Sequence, residues 1–180
     1  MPVNNIIIST QNYPPSAGGI QNYMHELAVA LHKLGNNVQV ICDAPTVDGQ
    51  ADFDNSLPFS VERLSGPKFL RRRRKAKSVL SQLKKTNQAI LICDSWKSLE
   101  LLKSEKLGHA YCICIAHGME FPEQVKQKYK RIFKTLSRAD IILANSQFTA
   151  QRVKPYAPIL EKVQILHPGV TPPAQASETD

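Results

Sequence analysis

The chain has 180 residues, with 23 Lys and Arg against 15 Asp and Glu, a net charge of +8. That length fits one domain with a buried core, and 42% hydrophobic with 21% charged residues excludes a disordered chain. The apolar runs are too short to span a bilayer, and the start MPVNNIIIST lacks the basic n-region of a secretory signal.

Asn5–Ser9 reads as a short buried strand, and Tyr13 to Gly19 is turn chemistry. Ile20, Met24, Leu27, Ala28 and Leu31 then recur at helical spacing, with Gly35 as the stop. Val38–Cys42 is the second strand, 43–58 a long polar loop, and Phe59–Leu64 a weaker third strand. A basic helix is expected over Phe69–Lys85, a strand over Ala89–Cys93, and a helix over Trp96–Lys106 ended by Gly108. Tyr111–Ala116 follows as a strand, Glu123–Leu136 as a helix and Ile141–Ala144 as a strand. Ser146 caps a helix over Gln147–Val153 that Pro155 terminates, and Val163–Leu166 is the last strand. Residues 171–180 are rich in Pro, Ser, Thr and Ala and read as a linker or tail after a domain over 1–170.

Apolar strands alternating with amphipathic helices predict an α/β domain: a Rossmann-like, doubly wound parallel sheet covered on both faces. Cys42, Cys93, Cys112 and Cys114 fall in or at the end of such strands and read as small buried hydrophobes. No C-x-x-C pair suggests a metal site, and the cysteine usage fits a reducing cytosol.

Ligands of such sheets bind where strands end at their carboxyl side. After strand one, Gly18-Gly19 opens a helix whose free N–H groups suit a phosphate. G-x-G-x-x-G is absent, which argues against a nicotinamide cofactor although Asp43 follows strand two. After strand four, Asp94 and Trp96 suit a polyhydroxylated ligand, and equally suit a helix cap with a packing indole. After strand five, His117 is held by the strand and followed by Gly118, with Glu120 placed to orient it or to contact the ligand itself; a hydrogen-bonded structural histidine is the competing reading. After strand six, Asn145 and Ser146 suit a cap, a ligand contact or both.

The segments YPPSAGGIQNYMHELAVALHKLGNNVQVIC, ICDSWKS, IAHGME, ADIILANSQFTAQRV and VQILHPGV occur in an order that resembles one family. The chain is similar to the N-terminal, acceptor-binding domain of retaining GT-B glycosyltransferases, the family of phosphatidylinositol mannosyltransferases, sucrose synthases and lipopolysaccharide glucosyltransferases. The resemblance implies transfer of a sugar from a nucleotide diphosphate sugar, the co-substrate, to a hydroxyl of a glycan or lipid-linked acceptor, as in assembly of cell-envelope polysaccharide. No other cofactor and no metal are implied. Gly18 and Gly19 match the glycine pair beside the diphosphate, and His117 the histidine near the transferred sugar. Gln21, Asp94, Trp96, Glu120, Asn145 and Ser146 fall where acceptor contacts are expected. Cys93 stands where relatives carry His or Asn. The resemblance also implies a donor-binding domain, in the same polypeptide or a second chain, so that the 180 residues alone are expected to be inactive. A stand-alone module binding a glycan, lipid or partner is the competing reading.

The charge is local. Nine of the 23 basic residues lie between Lys68 and Lys85, a span without acids, and the other 14 face 15 acidic residues. Arg71, Arg72, Arg73, Arg74 and Lys75 sit near a helix start, where the dipole disfavours cations. An anionic membrane surface offsets that cost, at about 1 kcal/mol per cation. The expectation is a cytoplasmic protein attached peripherally to the inner membrane face, without nucleic-acid binding.

Overall fold

The computed structural model describes residues 4–45, 48–122 and 128–169. It contains one seven-stranded sheet, all parallel, in the order β3-β2-β1-β4-β5-β6-β7. The strands are β1 (Asn5–Ser9), β2 (Asn37–Asp43), β3 (Ser60–Leu64), β4 (Ala89–Cys93), β5 (Tyr111–Ala116), β6 (Ile141–Ala144) and β7 (Val163–Ile165). The helices are α1 (Gly19–Lys33), α2 (Gln50–Asn55), α3 (Lys68–Leu83), α4 (Trp96–Leu99), α5 (Ser104–Leu107), α6 (Tyr129–Leu136) and α7 (Gln147–Val153). The doubly wound parallel sheet is the one expected from the alternation of elements.

Successive strand residues point to opposite faces and feed two cores. Ile6, Ile8, Val38, Val40, Cys42, Ile92 and Ile115 pack with Met24 and Ala28 of α1. Ile7, Ile41, Leu91, Cys93, Cys112 and Cys114 pack with Val79 of α3, Trp96 and Leu99 of α4, and Ile132 of α6. Both faces are covered, which is why these strands are continuously apolar. All four cysteines are free and buried. Burial pushes the Cys42 thiol up to about 12. Cys93 is raised by its hydrogen bond with Cys112 and by burial, and Cys114 by burial.

Two expected elements are corrected. The stretch read as a loop over 43–58 contains α2, which tertiary contacts hold in place. Asp54 pairs with Arg63 at 2.7 Å, and the Phe53 ring packs against Tyr13 and His25. The single helix read over Trp96–Lys106 is two short helices, α4 and α5. The Arg138 guanidinium explains the break. Its Nη1 donates to the carbonyls of Glu100 at 2.9 Å and Leu102 at 3.0 Å, groups that a continuous helix would have used internally. Of the helix read over Glu123–Leu136, residues 123–127 lie outside the described ones, and the rest is α6. The tail read over 171–180 is also outside them.

Candidate functional site

The carboxyl ends of β1, β4, β5 and β6 meet on one edge of the sheet. Asp94 N donates to Ser9 O at 3.0 Å and Asn145 N to Ala116 O at 3.2 Å, so the segments leaving adjacent strands remain paired.

His117 leaves β5 with its backbone N–H bonded to Glu120 Oε1 at 2.9 Å. Gly118 makes the turn at φ +101°, a value that favours glycine. A Cβ there would also lie 2.9 Å from Thr149 Oγ1. Thr149 Oγ1 donates to Asn145 Oδ1 at 2.7 Å, and Ser146 Oγ accepts from Thr149 N at 3.1 Å as the cap of α7. His117, Gly118, Glu120, Asn145 and Ser146 therefore form one connected group. The imidazole meets the Tyr23 ring edge-on, with centroids 5.8 Å apart. His117 Nε2 is buried and has no hydrogen-bond partner among the described residues. A buried imidazole nitrogen left unpaired costs free energy unless an ordered water or a ligand supplies the partner.

Gly18 and Gly19 begin α1, a 15-residue helix without an acid in its first turn. Asn22 N donates to Gly18 O at 3.0 Å, and Gln21 Nε2 to Ala17 O at 3.2 Å, so Gln21 braces this turn. Nothing lies within 4 Å of a Cβ added to Gly19, which leaves open space over the helix start. Tyr23 stands one turn after Gly19 and links the glycine pair to His117. Sequence reasoning missed Tyr23 as a site residue; the i, i+4 spacing from Gly19 was the available signal. Burial raises its phenol above the ordinary value. Gly19 and Tyr23 also line a groove of about 580 Å³ that runs along α1 to Leu166, His167, Pro168 and Gly169.

Two residues expected to make acceptor contacts are enclosed. Asp94 is 3% exposed and its carboxylate is consumed internally. Oδ2 accepts from Thr10 Oγ1 at 2.8 Å and Gln11 N at 2.7 Å, and Oδ1 from Ser95 Oγ at 3.0 Å and Ser98 Oγ at 2.5 Å. Trp96 is 2% exposed, with Nε1 bonded to Glu120 O at 3.3 Å. Asp94 ties the ends of β1 and β4 together, and Trp96 supports the His117–Glu120 turn.

The basic stretch on α3 is divided. Lys75 is buried, bonded to Thr10 O at 2.7 Å and 2.9 Å from Asp43. Arg71 pairs with the same Asp43 at 2.9 Å, and Arg72 with Glu100 at 2.7 Å. Arg74 donates to Ser65 O, and Arg73 lies over the Phe69 ring. The expectation that all five cations face an external anion is therefore corrected for Lys75, whose charge is used inside the fold. Arg73 and Arg74 remain exposed, beside exposed Phe69 and Leu70. Among the described residues, no group of three or more His, Cys, Asp or Glu side chains could hold a metal ion, and no helix is long and apolar enough to cross a membrane.

The profile of Glycosyltransferase Family 4 matches residues 17–172. Among curated proteins no sequence matches. Solved structures share the fold. The Anabaena protein Alr3699/HepE in complex with UDP is 15% identical, with a TM-score of 0.66 over 92% of this chain and 44% of that one. A glycosyltransferase from Rickettsia africae is 20% identical, with a TM-score of 0.66 over 93% and 44%. The lipopolysaccharide outer core galactosyltransferase WaaB is 15% identical, with a TM-score of 0.64 over 91% and 45%. The chain thus spans less than half the length of these structures, and its sheet is the Rossmann-like fold of a GT-B N-terminal domain. On the strength of that fold and of a profile match over most of its length, the chain belongs to Glycosyltransferase Family 4.

Proposed function

We propose that this chain is the acceptor-binding half of a retaining glycosyltransferase that moves a sugar from a nucleotide diphosphate sugar to a hydroxyl of a glycan or lipid-linked acceptor. The observation that carries the reading is His117: a fixed imidazole at the carboxyl end of β5 whose buried Nε2 has no partner among the described residues. The complexes of the Anabaena protein with UDP and with UDP-glucose support a nucleotide-sugar donor.

In the transition state the anomeric carbon becomes oxocarbenium-like, and negative charge grows on the leaving diphosphate. The open N-terminus of α1 at Gly18-Gly19 offers backbone N–H groups and the positive end of a helix dipole to that charge. His117 holds sugar and acceptor in register by hydrogen bonding and does not abstract a proton. Tyr23 and Glu120 fix the ring and the turn that carries it. Asn145 and Ser146 brace the same turn through Thr149.

Sugar transfer tests the reading. The reading frame through and beyond codon 180 is expressed as one polypeptide, or together with a neighbouring frame that encodes a donor-binding domain, and incubated with UDP-sugars and candidate acceptors. Transfer is expected, and His117→Ala is expected to reduce kcat/KM by about 100-fold, the order of one transition-state contact. Undiminished transfer by His117→Ala overturns the assignment. So does turnover by the 180-residue chain alone.

A second element of the reading is peripheral attachment to an anionic membrane. Phe69 and Leu70 are 62% and 51% exposed at the start of α3, with exposed Lys68, Arg73, Arg74 and Lys77 around them. Apolar side chains ringed by cations suit a headgroup boundary, where the apolar groups enter the acyl region and the cations meet phosphate.

A further inference from the structure

At the opposite end of the sheet from His117, the first residues of β1, β4 and β5 line a concavity of about 760 Å³. That volume lies within the range of about 300–1,000 Å³ in which small-molecule sites fall. Its wall is made of Asn4, Asn5, Asn87, Gln88, His109 and Tyr111, over Ala89 and Ile90. None of these is an acid, a lysine or an arginine, in a chain of net charge +8.

The carboxamides are set in two ways. Asn4 Nδ2 donates to Asn36 Oδ1 at 3.0 Å, and Asn5 Oδ1 accepts from Asn37 Nδ2 at 2.9 Å, so this side of the wall is fixed by an asparagine pair on each strand start. Asn87 and Gln88 are exposed, and among the described residues their side chains have no hydrogen-bond partner. Tyr111 is 45% exposed beside them. A smaller recess of about 280 Å³ shares Asn87, Ala89 and His109 with the concavity and adds Lys84 and Lys106, so the surface is elongated.

We propose that this concavity binds a neutral oligosaccharide, at a site separate from the transfer site. A carboxamide both donates and accepts, which matches adjacent sugar hydroxyls. The phenol ring offers a face for the apolar C–H side of a pyranose. Among the described residues the concavity itself carries no acid, lysine or arginine, which favours a neutral ligand within it; Lys84 and Lys106 belong to the adjoining recess. The elongated outline calls for several sugar units. Binding at this end needs no donor and no His117, so the inference stands or falls apart from the transfer reaction.

The test is NMR titration of the ¹⁵N-labelled protein with maltopentaose, cellopentaose, chitopentaose and, as an anionic arm, pentagalacturonate. At least one neutral pentasaccharide is expected to shift amide signals of Asn87–Ile90 and His109–Tyr111 and to leave those of His117–Glu120 in place. Tyr111→Ala is expected to weaken that binding by about tenfold, the order of one lost aromatic contact. Asn87→Ala, an exposed change in the loop before β4, is expected to weaken it as well. Failure of all three neutral sugars to bind overturns the inference, as does binding of pentagalacturonate alone. Shifts confined to His117–Glu120, or binding indifferent to both variants, overturn it too.

Discussion

Lys75 Nζ lies 2.9 Å from Asp43 Oδ1, which ties the middle of α3 to the last residue of β2. The side chains are 5% and 13% exposed, and Lys75 also donates to Thr10 O. Lys75→Met keeps the aliphatic stem but leaves the carboxylate with Arg71 alone. It is expected to destabilise the fold by about 2–3 kcal/mol in urea unfolding.

Arg73 and Phe69, paired one turn apart on the same helix, are expected to behave unlike Lys75. The pair Phe69→Ser and Arg73→Gln changes exposed side chains and is expected to leave the unfolding midpoint nearly unchanged, within about 0.5 kcal/mol. In cosedimentation with anionic vesicles at low salt, the wild type is expected to be retained and the double variant to lose most of that retention. Equal retention of both, or none of the wild type, removes the membrane reading.

Asp94→Asn separates a structural carboxylate from an acceptor contact. The Asp94 oxygens accept four hydrogen bonds, three from hydroxyls and one from a backbone N–H. An amide nitrogen in place of either oxygen would face donors. A loss of about 2–4 kcal/mol of stability is expected, read from the denaturation midpoint. Unchanged stability with a raised acceptor KM would return Asp94 to the acceptor site.

Gly118 combines two costs that can be separated. Gly118→Ala suffers both the φ of +101° and the approach to Thr149 Oγ1, and is expected to lose about 2–3 kcal/mol. The double variant with Thr149→Ser removes the Cγ2 but keeps the hydroxyl, so it is expected to recover little. Thr149→Ala removes the clashing oxygen, and a double-mutant cycle is expected to show partial recovery of the Gly118→Ala loss.

Glu100 gives a pH signature. Burial raises its carboxyl, but hydrogen bonds and charge from Arg131 and Arg72 outweigh burial and hold it below its ordinary value of 4.5. A carboxyl lowered by folding contributes stability above its unfolded value, and that stability is lost as pH falls through the folded one. Glu100→Gln is therefore expected to cost about 1 kcal/mol at pH 7, and the difference from wild type is expected to shrink below pH 4.5. A difference that stays constant from pH 7 to pH 3 would contradict this assignment.

The central strands were fully legible. β1, β4, β5 and β6 occupy the residues expected of them, as does α7 with its Ser146 cap. The middle of a strand buried on both faces is a run of apolar residues, and that leaves a clear signal. α2 was not legible, because six residues QADFDN carry little helical preference and are held by Arg63, Tyr13 and His25 from elsewhere in the chain. The break between α4 and α5 was hidden for the same reason: the group that takes the free carbonyls is Arg138, 36 residues beyond Leu102.

The site divides along the same line. That a ligand is to be expected where β1, β5 and β6 end follows from the order of elements, and Gly18, Gly19, His117, Glu120, Asn145 and Ser146 lie on that edge. Which polar side chains remain free there could not be read from residue type. Asp94 and His117 both follow buried strands, yet one has every oxygen satisfied and the other keeps a buried nitrogen without a partner among the described residues.

The opening charge of +8 follows the same rule. Sequence alone located it on one helix, since composition and spacing are linear properties of the chain. Only the tertiary structure decided that Lys75 is spent on Asp43 and Thr10 while Arg73 faces outward. Pairing of charges depends on distances between segments far apart in sequence, and folding is what sets those distances.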